Sequence, residues 1–246
     1  MKEKEMIFGI RAVIEAVEAG KDIDKVLVKR ELSGELFMEL QQLLRTYEIP
    51  MQKVPLERID RITRKNHQGV IAFTSAVTYQ KLENIVPMLY EEGKNPFILL
   101  LDSLTDVRNF GAIARTCEVA GVDAIVIPAR GSVSVNADAI KTSAGALHTI
   151  PVCREQSLKE AIVFLKNSGI KVVSATEKAA NFYTETDLSV PVAIVMGAED
   201  MGVDAEQLRV SDELVKIPQF GTIQSLNVSV AAGVIIYEVV RQRHLM

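Results

Sequence analysis

The spacing of apolar residues along the chain changes near residue 96. Before it, helical and extended patterns alternate over short distances. Ile10 to Val17 has the periodicity of an amphipathic helix, Lys25 to Val28 is extended, and Gly34 to Tyr47 is helical again. Extended pieces follow near Met51 to Val54 and Gly69 to Phe73, with a short helix between them. These elements predict a small α/β unit over residues 1–75. Residues 76–95 carry Glu and Lys between apolar positions and predict a link plus one helix, ended by Gly93 and Pro96.

From Pro96 the pattern becomes regular. Apolar runs at Phe97–Leu101, Ala124–Ile127, Lys171–Ser174, Val192–Met196 and Glu213–Ile217 are each followed by polar or glycine-containing turns and then by helical spacing. Runs that are apolar on both faces suit parallel strands covered by helices, so residues 96–246 are expected to form a doubly wound α/β sheet. Such sheets bind ligands beyond the carboxyl ends of their strands. The positions to inspect therefore follow Leu101, Ser174, Met196 and Ile217.

With 246 residues the chain has room for two modest domains, at roughly 100–200 residues each. Its formal charge of −4 argues against a protein that coats nucleic acid non-specifically. The acidity lies mostly after Ser75. Before it, Lys53, Arg58, Arg61, Arg64 and Lys65 cluster in a way that can serve a phosphate backbone or simply form a solvated helix face. The amino-terminal residues lack the pattern of a secretory signal, and the longest apolar stretch, Val228 to Val240, is too short to span a bilayer. A cytoplasmic protein with no membrane partner is expected. Cys117 and Cys153 are far apart and read as reduced thiols, while His67, His148 and His244 are scattered, so no metal is expected.

Three segments concentrate polar groups at strand ends. After the strand ending at Leu101, Asn109 reads as a helix N-cap, and Phe110, Ile113, Ala114 and Cys117 form a buried stripe from which Arg115 stands apart. Asn109 and Arg115 both carry donors that can hold an anion. After Met196 comes Gly197-Ala198-Glu199-Asp200-Met201-Gly202, where flanking glycines allow a sharp turn beside a carboxylate. A tight turn with an exposed Glu199 explains that segment nearly as well. The third runs from Lys216 to Gly233, with a loop pinned by Pro218 and Gly221 before Ser225 and Asn227 open a helix that is apolar almost all round.

These segments, in this order, resemble the three sequence motifs of the SpoU (TrmH-like) family of SPOUT methyltransferases. The whole chain, including His67-Gln68-Gly69-Val70 near the end of the first domain, is similar to the RlmB-like subfamily acting on a guanosine of 23S rRNA. Val107, Asp200 and Arg11 depart from residues common there, namely proline, glycine and histidine. The resemblance implies an RNA ribose 2′-O-methyltransferase using S-adenosylmethionine and no metal. It also implies a carboxyl-terminal α/β domain with a deep trefoil knot, Ser225 to Val240 being its last helix, and a ribosomal-protein-like RNA-binding domain before it. Periodicity alone does not predict a knot. The cofactor is expected among Gly197, Ile217, Pro218 and Leu226, with Ser174 to Thr176, Ser225 and Asn227 nearby. Asn109, Arg115, Glu199, Ser225 and Asn227 are expected at the reaction centre. The family's members pair through the last helix, so a homodimer is expected.

A ribose hydroxyl is a poor nucleophile until its proton is removed or shared, so alignment and proton handling are what the protein must supply. Arg115 is implied as general base, yet a guanidinium is more readily an electrostatic donor to a developing alkoxide. Four other readings compete: tRNA rather than rRNA methylation, base rather than ribose methylation, an inactive RNA-binding protein of the same fold, and a nicotinamide enzyme. Loss of two or more of the polar set would favour the inactive protein, and no Gly-x-Gly-x-x-Gly follows any strand to favour the last.

Overall fold

The computed structural model describes residues 6–198, 200–223 and 225–244. The chain divides into two compact units, one made of the residues up to Thr78 with Ser134–Asn136, the other of Tyr79–Val133 with Ala137 onward.

In the first unit, strands β1 (Met6–Phe8), β2 (Ile23–Lys29), β3 (Met51–Val54) and β4 (Val70–Thr74) alternate with helices α1 (Ile10–Glu18), α2 (Glu35–Thr46) and α3 (Leu56–Ile62). The sheet order is β1-β4-β2-β3, with β2 and β3 parallel and the other pairs antiparallel. Alternation along β2 and β4 supplies both cores. Val26, Val28, Val70 and Ala72 meet α1 and α2 on one face, while Leu27, Ile71 and Phe73 meet Ile59 of α3 on the other. At the turn before β4, the Gly69 amide donates to His67 Nδ1 at 2.9 Å. The ring proton therefore sits on Nε2, which donates to Asp60 at 2.9 Å.

The second unit contains α4 (Leu82–Glu91), β5 (Phe97–Asp102), α5 (Val107–Ala120), β6 (Ala124–Pro128), α6 (Ala137–Thr142), β7 (Val152–Glu155) and α7 (Leu158–Asn167). After these come β8 (Lys171–Ala175), β9 (Asn181–Phe182), β10 (Val192–Gly197), α8 (Ala205–Val210), β11 (Glu213–Lys216) and α9 (Val228–His244). Its seven strands run parallel in the order β7-β6-β5-β10-β8-β11-β9. Ile98, Leu100, Ala193 and Val195 pack against α4 and α7. Their neighbours Leu99, Leu101 and Ile194 turn to the opposite face, where Phe110, Ile113, Ala114 and Cys117 of α5 and Ile235, Ile236 and Val239 of α9 are buried. The doubly wound α/β architecture expected from the apolar runs is the one observed. Strand β10 lies between β5 and β8, and β11 between β8 and β9, so the last two strands are inserted between strands laid down earlier.

Side-chain caps set several helix starts. Asp106 accepts from the amides of Arg108 and Asn109 at the head of α5, Ser157 caps α7, and Asp204 caps α8. The cap of α5 is therefore Asp106, three residues before the expected Asn109. A carboxylate at that position reaches two of the free amides of the first turn, and Asn109 becomes part of that turn. Helix α9 begins at Val228 and runs to His244, so Ser225 and Leu226 precede it. Asn227 caps it, Oδ1 accepting from the Ser229 amide at 3.0 Å while its carbonyl accepts from Val230 and Ala231.

Candidate functional site

At the carboxyl ends of β8, β10 and β11 a cavity of about 350 Å³ opens against the start of α9. Its apolar lining comes from Met196, Ile217, Leu226, Val228 and Ala231, while Glu177, Lys178, Asp200 and Lys216 bring both signs of charge to it. The volume falls within the roughly 300–1,000 Å³ range of small-molecule and cofactor sites.

The loop after β10 closes tightly on itself. Gly202 N donates to Ala198 O at 2.8 Å, and a Cβ built on Gly197 would lie 1.9 Å from the Gly202 carbonyl carbon. No side chain fits at Gly197, and the backbone itself forms that wall of the cavity. The end of β5 is joined to the same region through Asp102, which is 4% exposed. Its Oδ2 accepts from the Asp204 amide at 2.8 Å, and its Oδ1 accepts from Ser103 Oγ at 3.0 Å. Without these donors its burial would be costly.

Five of the expected cofactor-site residues, Thr176, Gly197, Ile217, Ser225 and Leu226, line the cavity. Pro218 sits between two lining residues, and Asn227 sits just before the lining Val228. Ser174 is fully buried and shares a hydrogen bond with Ser211 Oγ at 2.7 Å. Asn227 Nδ2 donates to Asn109 Oδ1 at 3.1 Å, so the first and third motifs touch. Arg115 is exposed on α5, about 9 Å along the axis from Asn109 at the usual rise per residue. Glu199 lies outside the described residues. Lys178 and Lys216 were not singled out from the sequence; their only signal was a place just beyond or at the end of two strands.

Among the described residues there is no group of three or more His, Cys, Asp or Glu side chains able to hold a metal ion, and no helix long and apolar enough to cross a membrane. Cys117 and Cys153 are free and buried. Burial pushes the Cys153 thiol up to about 12 and raises that of Cys117 as well, which makes both poor nucleophiles.

An all-parallel sheet with two strands inserted late, and a cavity at its carboxyl edge walled by glycine backbone, is the arrangement in which α/β domains commonly hold a small molecule. Residues 96–237 match the model of the SpoU rRNA Methylase family, and residues 6–80 match that of the RNA 2′-O ribose methyltransferase substrate-binding domain. A TrmH family tRNA/rRNA methyltransferase, so assigned, from Staphylococcus saprophyticus is 35% identical over 242 residues, covering 98% of this chain and 97% of that one. YacO of Bacillus subtilis, assigned to the same family, is 33% identical, covering 99% and 98%. Among solved structures, an AdoMet-bound rRNA methyltransferase from Sinorhizobium meliloti matches with a TM-score of 0.61 and 27% identity, over 98% of this chain and 88% of that one. The SpoU methyltransferase AviRb from Streptomyces viridochromogenes shares the fold, with a TM-score of 0.63 over 98% of this chain and 91% of that one at 24% identity. The chain belongs to the SpoU family of RNA methyltransferases.

Proposed function

We propose that this protein transfers a methyl group from S-adenosylmethionine to the ribose 2′-hydroxyl of a guanosine in 23S rRNA. The observation that carries the reading is the convergence of the second and third motifs on one cavity, with the first tied to the third through Asn109 and Asn227. The cavity fits the cofactor chemically. Apolar residues suit an adenine, and charges of both signs suit an α-amino and an α-carboxylate group on one ligand. The bound cofactor supplies an activated methyl group.

The chain's own residues align the acceptor and stabilise charge on O2′. Thr176, Gly197, Ile217, Ser225 and Leu226 would hold the cofactor, whose methyl group would be supplied to O2′ as the hydroxyl gives up its proton to solvent. Arg115, exposed and carrying five N–H donors, stabilises the developing alkoxide. Asn109, Ser225 and Asn227 orient the ribose, and Glu199 completes the set by its place in the second motif. Residues 1–75 select RNA and 96–246 perform the transfer, while α4, within the 76–95 segment, packs into the second unit. A cytoplasmic location suits the family's RNA substrates.

Two copies pair through α9. Its Val230 and Tyr237 are 53% and 49% exposed, and their seven-residue spacing puts them on one face. Sedimentation at micromolar concentration is expected to give a dimer. The activity is tested by incubating the protein and labelled S-adenosylmethionine with rRNA and tRNA from cells lacking the gene. Label is expected in 23S rRNA as 2′-O-methylguanosine. Label in tRNA would shift the target, and label on a base would reject ribose chemistry.

A further inference from the structure

The loop between β11 and α9 carries an aromatic side chain for which the fold has no use. Phe220 is 96% exposed, and Ile223 in the same loop is 80% exposed. Met201, on the loop after β10, is 79% exposed and lines the cavity. One apolar side chain in solvent is ordinary, but here they gather on the two loops that wall one ligand site. Gln219, directly before Phe220, lines the cavity too, so Phe220 follows a residue of the cavity wall.

A 2′-hydroxyl on a stacked strand lies at the open minor groove, and for its ribose to enter a walled cavity the nucleotide has to leave the stack. The strand must open there, and the unstacked bases then need a surface; proteins that read single-stranded RNA commonly provide an aromatic face. We propose that Phe220 is a stacking platform for a nucleobase of the RNA strand whose ribose enters the cavity. It is a substrate-positioning residue that leaves the cofactor alone. This rests on the reading of the chain as an RNA ribose methyltransferase. A phenyl ring offers no hydrogen-bonding edge, so the contact tolerates any base and adds affinity and register rather than sequence choice.

The chain contains no tryptophan, which makes Phe220→Trp a single fluorescent reporter at this position. The probe is rRNA from cells lacking the gene, with S-adenosylmethionine alone as control. Emission is expected to be quenched as this RNA binds, in step with its retention on filters, and to be indifferent to the cofactor alone. Phe220→Ala is expected to raise KM for RNA roughly tenfold or more, the scale of one lost base–aromatic stack. Cofactor affinity and sedimentation are expected to stay as in the wild type, and Phe220→Tyr to restore KM. Trp emission blind to RNA that the filter shows bound, or a wild-type KM in Phe220→Ala, overturns the proposal. So does a changed oligomeric state in Phe220→Ala, which would assign the ring to a protein contact. A wild-type chain that neither binds nor methylates this RNA rejects the functional reading itself, and the platform with it.

Discussion

Asn227 Nδ2 donates to Asn109 Oδ1 at 3.1 Å, joining two residues 118 positions apart in the chain. The same Asn227 side chain caps α9 through Oδ1, which accepts from the Ser229 amide. One amide thus sets both the start of the last helix and its attachment to the first turn of α5. Asn227→Asp retains the acceptor but loses the donor. It is expected to keep the cap and most of the stability while lowering methyl transfer. Asn227→Ala loses both, with about 1 kcal/mol of stability gone with the cap. Denaturant titration beside single-turnover rates separates the two effects. Equal rates in Asn227→Asp and the wild type would take the link to Asn109 out of the chemistry.

The central architecture was legible because its strands are buried on both faces. Phe97–Leu101 is buried throughout, so its run is continuously apolar. Strand β7 was missed because Arg154 and Glu155 make half of it polar, and β1 and β9 are too short to show alternation. Asn109 looked like a cap because asparagine commonly is one, but Asp106 stands at the position from which a side chain reaches the first free amides. Strand order was not legible at all. Insertion of β10 between β5 and β8 is decided by long-range packing, and local spacing carries no trace of it. The motifs marked the cavity because glycine and polar residues at strand ends answer to local backbone geometry. The charges of Lys178 and Lys216 look like any surface lysine until the fold gathers them.

Gly197 has no room for a side chain, since its nearest built-Cβ contact, at 1.9 Å, is backbone that no rotamer change can move. Gly197→Ala is expected to force the loop after β10 open, costing roughly 1–3 kcal/mol, as overpacking commonly does. Loss of cofactor binding should accompany it. Gly221→Ala is the control, because a Cβ there meets nothing within 4 Å, and stability should stay within about 0.5 kcal/mol. Calorimetric titration with S-adenosylmethionine checks both. Wild-type affinity in Gly197→Ala would mean that the loop does not shape the site.

Near the end of α9, the buried Glu238 accepts from Arg241 Nε and Nη2 at 2.8 and 2.7 Å and from Gln242 Nε2 at 2.8 Å. Gln242 in turn donates to Thr186 O and accepts from the Leu188 amide. Hydrogen bonding from Arg241 holds the Glu238 carboxyl below its ordinary value. Such a group contributes stability above its unfolded pKa, and that contribution is lost as pH falls through the folded value. Glu238→Gln should therefore be less stable than the wild type at neutral pH, by about 1 kcal/mol. The gap should narrow as pH drops below about 4. Melting curves across that range check this, and a gap independent of pH would show that the charge contributes nothing.

Arg115 follows Asn109 on α5 but stands away from the stripe formed by Phe110, Ile113, Ala114 and Cys117, all of which are fully buried while Arg115 is exposed. Packing therefore gives no reason for arginine at this position. Arg115→Ala should fold and bind S-adenosylmethionine nearly as the wild type does, because exposed substitutions commonly change stability by only about 0.5 kcal/mol. Its methyl-transfer rate should fall roughly 100–1,000-fold, the effect of removing one donor aimed at a developing oxyanion. Arg115→Lys separates charge from geometry, since lysine keeps the positive charge but lacks the planar fork that can hold a phosphate and a hydroxyl together. If charge alone stabilises the alkoxide, lysine restores much of the rate; if the fork aligns the ribose, it restores little and KM for RNA rises. Rates measured at saturating RNA distinguish these cases, and a wild-type rate in Arg115→Ala would remove the residue from the mechanism.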